Sequence, residues 1–199
     1  MRNTFEIRWH GRGGQGTVTA AKVFANACMQ SGRFVQAFPD YGPERSGAPL
    51  QVYNRIGHKE LRMHCPVLTP MFVVVVDASL LSLVDIAAGA DERAFFLINS
   101  AHSTKEIKKN IPLKAKQKVF CVDGTGIAID SFGQPLPNSA MVGALGRISG
   151  MVDLDSLTHA VEKSFGKKFS AKVIQGNLDA VARSWEEVAR REDKNHSQN

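Results

Sequence analysis

Four glycines in six positions, Gly11, Gly13, Gly14 and Gly16, separate two segments of different periodicity near the start of the chain. Before them, Phe5, Ile7 and Trp9 alternate with Glu6 and Arg8, the pattern of a strand with one apolar face. After them, Val18, Ala21, Phe24, Ala25 and Cys28 recur at helical spacing until Ser31-Gly32 closes the helix. Strand, glycine loop and helix in this order commit the segment to a βα unit. Gly11, Gly13 and Gly16 match G-x-G-x-x-G, a spacing that lets backbone N–H groups approach a phosphate at the positive end of a helix. Glycines in such a turn also have a plainer use, which is to let a helix pack tightly on its strand.

The remainder extends the same architecture. Arg33 to Phe38 offers a second strand, and Leu50 to Ile56 with Glu60 to Met63 around Gly57-His58-Lys59 predicts a hairpin. Val73 to Val76 is an all-β-branched run of the kind buried on both faces of a parallel sheet, and Ala94 to Ile98 and Lys118 to Val122 repeat it more weakly. Helical patterns fall at Leu80 to Ala88 and Ser103 to Asn110, then at Ser139 to Ile148, Asp155 to Phe165 and Asn177 to Arg191. The fold expected is α/β: a mostly parallel, doubly wound, Rossmann-like sheet with an antiparallel hairpin excursion and C-terminal helices. With 199 residues, 43% of them hydrophobic, one core is expected, in a single domain over 1–191 followed by a polar, frayed tail over 192–199. The longest apolar run, Met71 to Val76, is far short of a bilayer span, and no signal pattern opens the sequence, so a cytoplasmic protein is expected.

In an open α/β sheet, ligands gather beyond the carboxyl ends of the strands. Gly11 to Gly16, Asp77 and Asp123-Gly124-Thr125-Gly126 all fall at such ends, and Arg12 and Gln15 add a cation and an amide to the first. A dinucleotide site also needs an acidic residue ending the second strand. Asp40 is the nearest, but it follows Pro39 in what reads as a rigid loop, which disfavours NAD and leaves phosphate binding open. The loop Tyr41 to Gly47 holds a phenol, a carboxylate and a guanidinium between turn formers; a functional loop and a merely salt-bridged turn stand level. His10 adjoins the glycine loop, with an exposed surface histidine as its default state.

Other features exclude more than they assert. Cys28, Cys65 and Cys121 are isolated and odd in number, which suits neither a disulfide framework nor a cluster, and no nucleophile-base or metal-ligand spacing recurs. Lys105, Lys108, Lys109, Lys114, Lys116 and Lys118 against Glu106 give +5 within fourteen residues. A solvated surface is the plain reading of these lysines, and a docking face for an acidic partner or for ligand phosphates is the sharper one. No aromatic residue is interleaved with them to stack a base, so nucleic acid ranks last. Ala140, Gly143, Ala144 and Gly146 form a small-residue face on a helix capped by Asn138 or Ser139, fit for close approach of its own sheet or of a neighbouring subunit.

Five segments taken in order are more specific than any of these features. They are IRWHGRGGQG (Ile7 to Gly16), FVQAFPDYGPERSGAP (Phe34 to Pro49), VVVVD (Val73 to Asp77), PNSAMVGALGRISGMV (Pro137 to Val152) and KVIQGNLDAVARSWEEV (Lys172 to Val188). Together they resemble the gamma subunit of 2-oxoacid:ferredoxin oxidoreductases, most nearly the short, separate gamma chain of the pyruvate enzyme. The resemblance implies a non-catalytic subunit of a cytoplasmic complex that oxidatively decarboxylates a 2-oxoacid to an acyl-CoA. Coenzyme A would bind at this chain, while thiamine diphosphate, its magnesium and the iron-sulfur clusters would belong to alpha, beta and delta-type partner subunits. Ferredoxin, or NAD through a further subunit, would take the electrons, and neither nucleic acid nor membrane is implied as a partner. Carried over residue by residue, Gly11, Arg12, Gly13, Gly14, Gln15 and Gly16 are expected at the coenzyme A phosphates. Tyr41, Gly42, Pro43, Glu44, Arg45, Gly47 and Asn138 are expected to face the partner subunits or the active site. Relatives acting on phenylglyoxylate, 2-oxoisovalerate or 2-oxoglutarate share the architecture. Two readings of other classes stand beside it: a stand-alone NAD-dependent dehydrogenase and a nucleotide-sensing module without enzyme activity.

Overall fold

The computed structural model describes residues 4–40, 47–63, 65–166 and 169–196, with side chains described up to residue 189. Its strands are β1 (Thr4–Arg12), β2 (Phe34–Asp40), β3 (Pro49–Gly57), β4 (Phe72–Val75), β5 (Phe95–Asn99) and β6 (Lys118–Val122). Its helices are α1 (Thr17–Gln30), α2 (Thr104–Lys108), α3 (Gly124–Phe132), α4 (Asn138–Ser149), α5 (Leu154–Phe165) and α6 (Ala171–His196), with a 3-10 turn over Ala78–Ser82.

The strands form one sheet in the order β2-β3-β1-β4-β5-β6. β1, β4, β5 and β6 pair in parallel, and β3 runs antiparallel between β1 and β2. The expected α/β sheet with an antiparallel excursion is therefore present, but the excursion is placed differently. β3 pairs Phe34↔Gly57 through Asp40↔Gln51 with β2, and Glu60 to Met63 form no strand. Inserted between β1 and β2, β3 has a partner on each edge, so a strand at 60–63 would have no edge of β3 left to pair with.

Strand alternation sorts the core onto two faces. Ile7, Trp9, Phe72, Val74, Leu97 and Val122 meet α1, α4, α5 and α6 on one side. Val73, Val75, Phe96, Ile98, Val119 and Cys121 meet Ile86, Ala90, Ile107 and Ile111 on the other. Asn54, fully buried on β3, stitches the first layer together: it accepts from Trp9 Nε1 at 2.7 Å and donates to the Ala21 carbonyl at 3.0 Å. Polar groups at such depth need partners of this kind.

The second face is thinner than the periodicity predicts. Of the helix expected over Leu80 to Ala88 only the short 3-10 turn forms, because Asp77 caps it at Ser79 N and Asp85 accepts from Ala87 N, local bonds that compete with helix continuation. The helix at 103–110 shortens to α2, opened by a reciprocal capping box between Ser103 and Glu106. At the other end of the chain α6 runs on to His196, carrying helix through residues 192–196 that the sequence assigns to a polar tail.

The two glycines on the small-residue face of α4 pack on helices. The backbone of α6 at Val181 and the Ser184 hydroxyl lie against Gly143, and Leu157 and Trp185 lie against Gly146. A Cβ at position 143 would come 2.9 Å from Val181 Cα, where no side-chain motion relieves the clash. Gly143→Ala is expected to destabilise the purified chain by about 1–3 kcal/mol in urea unfolding, the usual cost of overpacking; an unchanged midpoint would contradict this contact.

Candidate functional site

The site grows from the end of β1. This strand runs further than the sequence pattern suggests, and Gly11 and Arg12 still pair with Leu50 and Pro49 of β3. The glycines consequently have separate roles. Gly11 lies against the buried Thr17 side chain, whose Oγ1 would collide with any Cβ there, so this glycine allows α1 to pack on β1. Gly14 (φ +91°) and Gly16 (φ +75°) make the left-handed turns that side chains resist. Nothing stands over Gly14, whereas Gly16 adjoins the Asn138 amide, where a Cβ would come 2.7 Å from Nδ2. Asn138, expected near the site from sequence, is thus brought to the glycine loop by the start of α4. Gly16 begins α1 without a side-chain cap, leaving the first-turn N–H groups without intrahelical acceptors.

The side chains of the loop are already engaged. Arg12 Nε donates to Asp77 Oδ2 at 3.0 Å, Nη2 to Ser79 Oγ at 3.0 Å and Nη1 to the Gly47 carbonyl at 3.1 Å. Gln15 Nε2 donates to the same Asp77 oxygen at 2.7 Å, and its Oε1 accepts from Arg12 N at 2.8 Å. Burial works to raise the Asp77 carboxyl, but bonds from Ser79 and Gln15 and the Arg12 charge outweigh it and hold the group below the usual carboxylate range. Asp77 is therefore a fixed anion under the loop.

Beside this cluster lies an open cleft of about 400 Å³ at the carboxyl ends of β4, β5 and β6. Gln15, Asp77, Ser79, Asn99, Asp123 and Thr125 line it, with Pro135 and Pro137 as apolar wall. The three strand-end groups singled out from sequence thus share one crevice. Asp123 caps α3 by accepting from Gly126 N at 2.8 Å, and Asn99 bridges Val76 O and Thr125 Oγ1, both at 2.9 Å. Ser79 and Asn99 escaped the sequence analysis, although Asn99 ends β5 and the strand-end rule would have found it. The cleft offers hydroxyls, amides and two carboxylates already engaged in hydrogen bonds, a set suited to holding a polar ligand.

Other expectations resolve differently. Asp40 does end the second strand, but β3 lies between β2 and β1, so its carboxylate is two strand spacings, roughly 10 Å, from β1. There it accepts from Tyr53 OH at 3.1 Å, and burial and Asp40 together push the Tyr53 phenol up to about 12. The ribose position of a dinucleotide site is not formed by Asp40. His10 is buried, not surface: Arg8 Nε points at its Nε2 at 3.2 Å, and Arg8 also donates to the Ile86 and Ala88 carbonyls. Tyr41, Gly42, Pro43, Glu44 and Arg45 lie outside the described residues, and Gly47 is reached through Arg12. All six lysines of 105–118 are exposed, and Lys114, Lys116 and Lys118 lie at the amino end of β6, away from the cleft. Among the described residues no group of three or more His, Cys, Asp or Glu is placed to hold a metal, and no helix is long and apolar enough to cross a membrane.

Against known families, the profile described as pyruvate ferredoxin/flavodoxin oxidoreductase matches residues 6–187. The chain belongs to this family. It is 42% identical over 184 residues to the pyruvate synthase subunit PorC of Thermotoga maritima, covering 92% of this chain and 94% of that one. It is 40% identical over 179 residues to the common gamma subunit of the pyruvate/ketoisovalerate oxidoreductases of Pyrococcus furiosus, covering 90% and 96%. The crystal structure of the Thermotoga maritima pyruvate oxidoreductase subunit PORC superposes with a TM-score of 0.81 at 37% identity, over 93% of this chain and 97% of that one. The gamma-subunit resemblance drawn from the five motifs is borne out, and with it the mixed α/β fold of the family.

Burial, and secondarily the Arg8 charge, lowers the His10 pKa to about 3. Between about 6.5 and 3 the unfolded chain therefore binds at this residue a proton that the folded chain refuses, so the contribution of His10 to stability falls as pH drops through this window and is level above it. The slope reaches about 1.4 kcal/mol per pH unit. Relative to a His10→Gln variant, the native chain is expected to lose this increment in urea unfolding between pH 7 and 4; parallel curves would refute it.

Proposed function

We propose that this chain is the gamma subunit of a thiamine- and iron-sulfur-dependent complex that converts pyruvate or a related 2-oxoacid to its acyl-CoA. In this reading the chain holds coenzyme A for a reaction whose reactive cofactors sit on partner subunits. The observation that carries the reading is the uncapped start of α1 at an open glycine loop, opening onto a cleft of hydrogen-bonding side chains that holds no catalytic constellation. A helix start of this kind attracts phosphate through its free N–H groups and its dipole. The hydroxyls and amides of Ser79, Asn99 and Thr125 suit the polar body of a nucleotide-bearing thiol. In this reading the carbon chemistry belongs to alpha, beta and delta-type partners.

The residues given the ligand role are Gly11, Arg12, Gly13, Gly14, Gln15 and Gly16. Gly47 and Asn138, with the Tyr41 to Arg45 segment, are given the face toward the partner subunits or the active site. The names of relatives favour pyruvate as substrate, and the family description favours ferredoxin or flavodoxin as electron acceptor. A phenylglyoxylate complex reducing NAD is the second substrate assignment within the same class.

In the assembled complex, Arg12→Ala with Gln15→Ala is expected to raise the apparent KM for coenzyme A about tenfold, corresponding to roughly 1.4 kcal/mol of lost binding, with the KM for the 2-oxoacid unchanged. An unchanged KM for coenzyme A overturns the assignment.

A further inference from the structure

Asp77 is absent from the ligand residues just named, yet the loop is built around it. One of its oxygens receives both Arg12 Nε and Gln15 Nε2, and its other oxygen accepts from Ser79 N at 2.9 Å. Arg12 then reaches beyond the loop to Ser79 Oγ and to the carbonyl of Gly47, while Gly13 N donates to Ala48 O at 3.3 Å. Three stretches of chain far apart in sequence meet in this way: the glycine loop, the start of the 3-10 turn after β4, and the residues leading into β3. The arginine fork suits the task, because its five donors lie in one rigid plane and three of them go to three separate acceptors. The ion pair is partly shielded, with side-chain exposures of 26% for Arg12 and 18% for Asp77.

We infer that Asp77 is a positioning residue: through Arg12 and Gln15 it locks the glycine loop into its ligand-ready shape and joins it to the connection that enters β3 at Gly47-Ala48. The inference rests on the ligand reading of the loop and adds a residue that acts through Arg12 and Gln15. It differs in sign from the simple alternative in which Asp77 competes with an anionic ligand for Arg12. If Asp77 were a competitor, removing its charge would free the guanidinium and tighten binding. If it positions the loop, removing its charge loosens the loop and weakens binding.

The test uses the assembled complex carrying Asp77→Asn, Arg12→Met or both. The measurements are amide hydrogen exchange in a peptide spanning residues 11–17, and steady-state kinetics with coenzyme A. Asp77→Asn is expected to speed exchange in that peptide and to raise the KM for coenzyme A about fivefold with kcat within about twofold. The double variant is expected to be no worse than Arg12→Met alone, since coupled residues are non-additive. Ser79→Ala, which removes one acceptor of Arg12, is expected to move both readouts the same way by less, and it carries the test if Asp77→Asn does not assemble. A lowered KM in Asp77→Asn, or unchanged loop exchange, overturns the positioning role. Faster exchange with an unchanged KM for coenzyme A upholds that role and overturns the ligand reading instead.

Discussion

β1 is the strand on which the rest of the structure depends, because it is hydrogen-bonded along both edges. β3 pairs with it from Thr4↔Gly57 to Arg12↔Pro49, and β4 pairs with it from Ile7↔Phe72 to His10↔Val75. A strand fixed on both sides cannot slip by a residue without turning Ile7 and Trp9 out of the helical layer and Arg8 and His10 into it. With register set, the glycine loop must leave at the middle of the sheet, between an antiparallel neighbour and a parallel one. The antiparallel neighbour brings Gly47 and Ala48 to one flank of the loop, and the parallel one brings Asp77 to the other.

The two faces of β1 carry different burdens. Ile7 and Trp9 contribute area to the helical layer, in which full burial of a large side chain is worth about 1.5–3 kcal/mol. Arg8 and His10 are buried under the chain between β4 and β5, where an arginine is tolerated because two carbonyls and the imidazole take up its donors. Burial keeps the histidine neutral, so it is a structural acceptor beside the loop and not a proton carrier. This sheet face was legible in the sequence only as polar, since alternation tells which residues share a face but not what covers it.

The cluster at the loop explains why one charged pair shapes more of the site than its size suggests. Arg12 and Asp77 are 65 positions apart and become neighbours only because β1 and β4 are adjacent. From sequence the arginine looked like a free cation for phosphates; in the fold, three of its donors are occupied and its charge is balanced by a part-buried carboxylate. A ligand anion of the kind proposed would therefore meet the backbone of Gly14, Gly16 and the first turn of α1 beside the donors that Arg12 has left, and the shape of that backbone depends on the left-handed turns at the two glycines.

What the sequence determined by itself was local: the strand–glycine loop–helix unit, the β-branched run ending near Asp77, the strand at Lys118 to Val122, the family motifs, and the want of a cysteine cluster or catalytic spacing. Period, turn chemistry and residue type suffice for these, because each is decided within a few residues. Only the tertiary structure placed β3 between β1 and Phe34 to Asp40, with no strand at Glu60 to Met63. It also decided that Asp40 is separated from β1 by β3, that α4 turns its glycines to α6, and that Arg12 closes on Asp77. Each of these depends on which strands and helices become neighbours, a choice made by burial of whole faces across long stretches of chain, to which no local pattern responds.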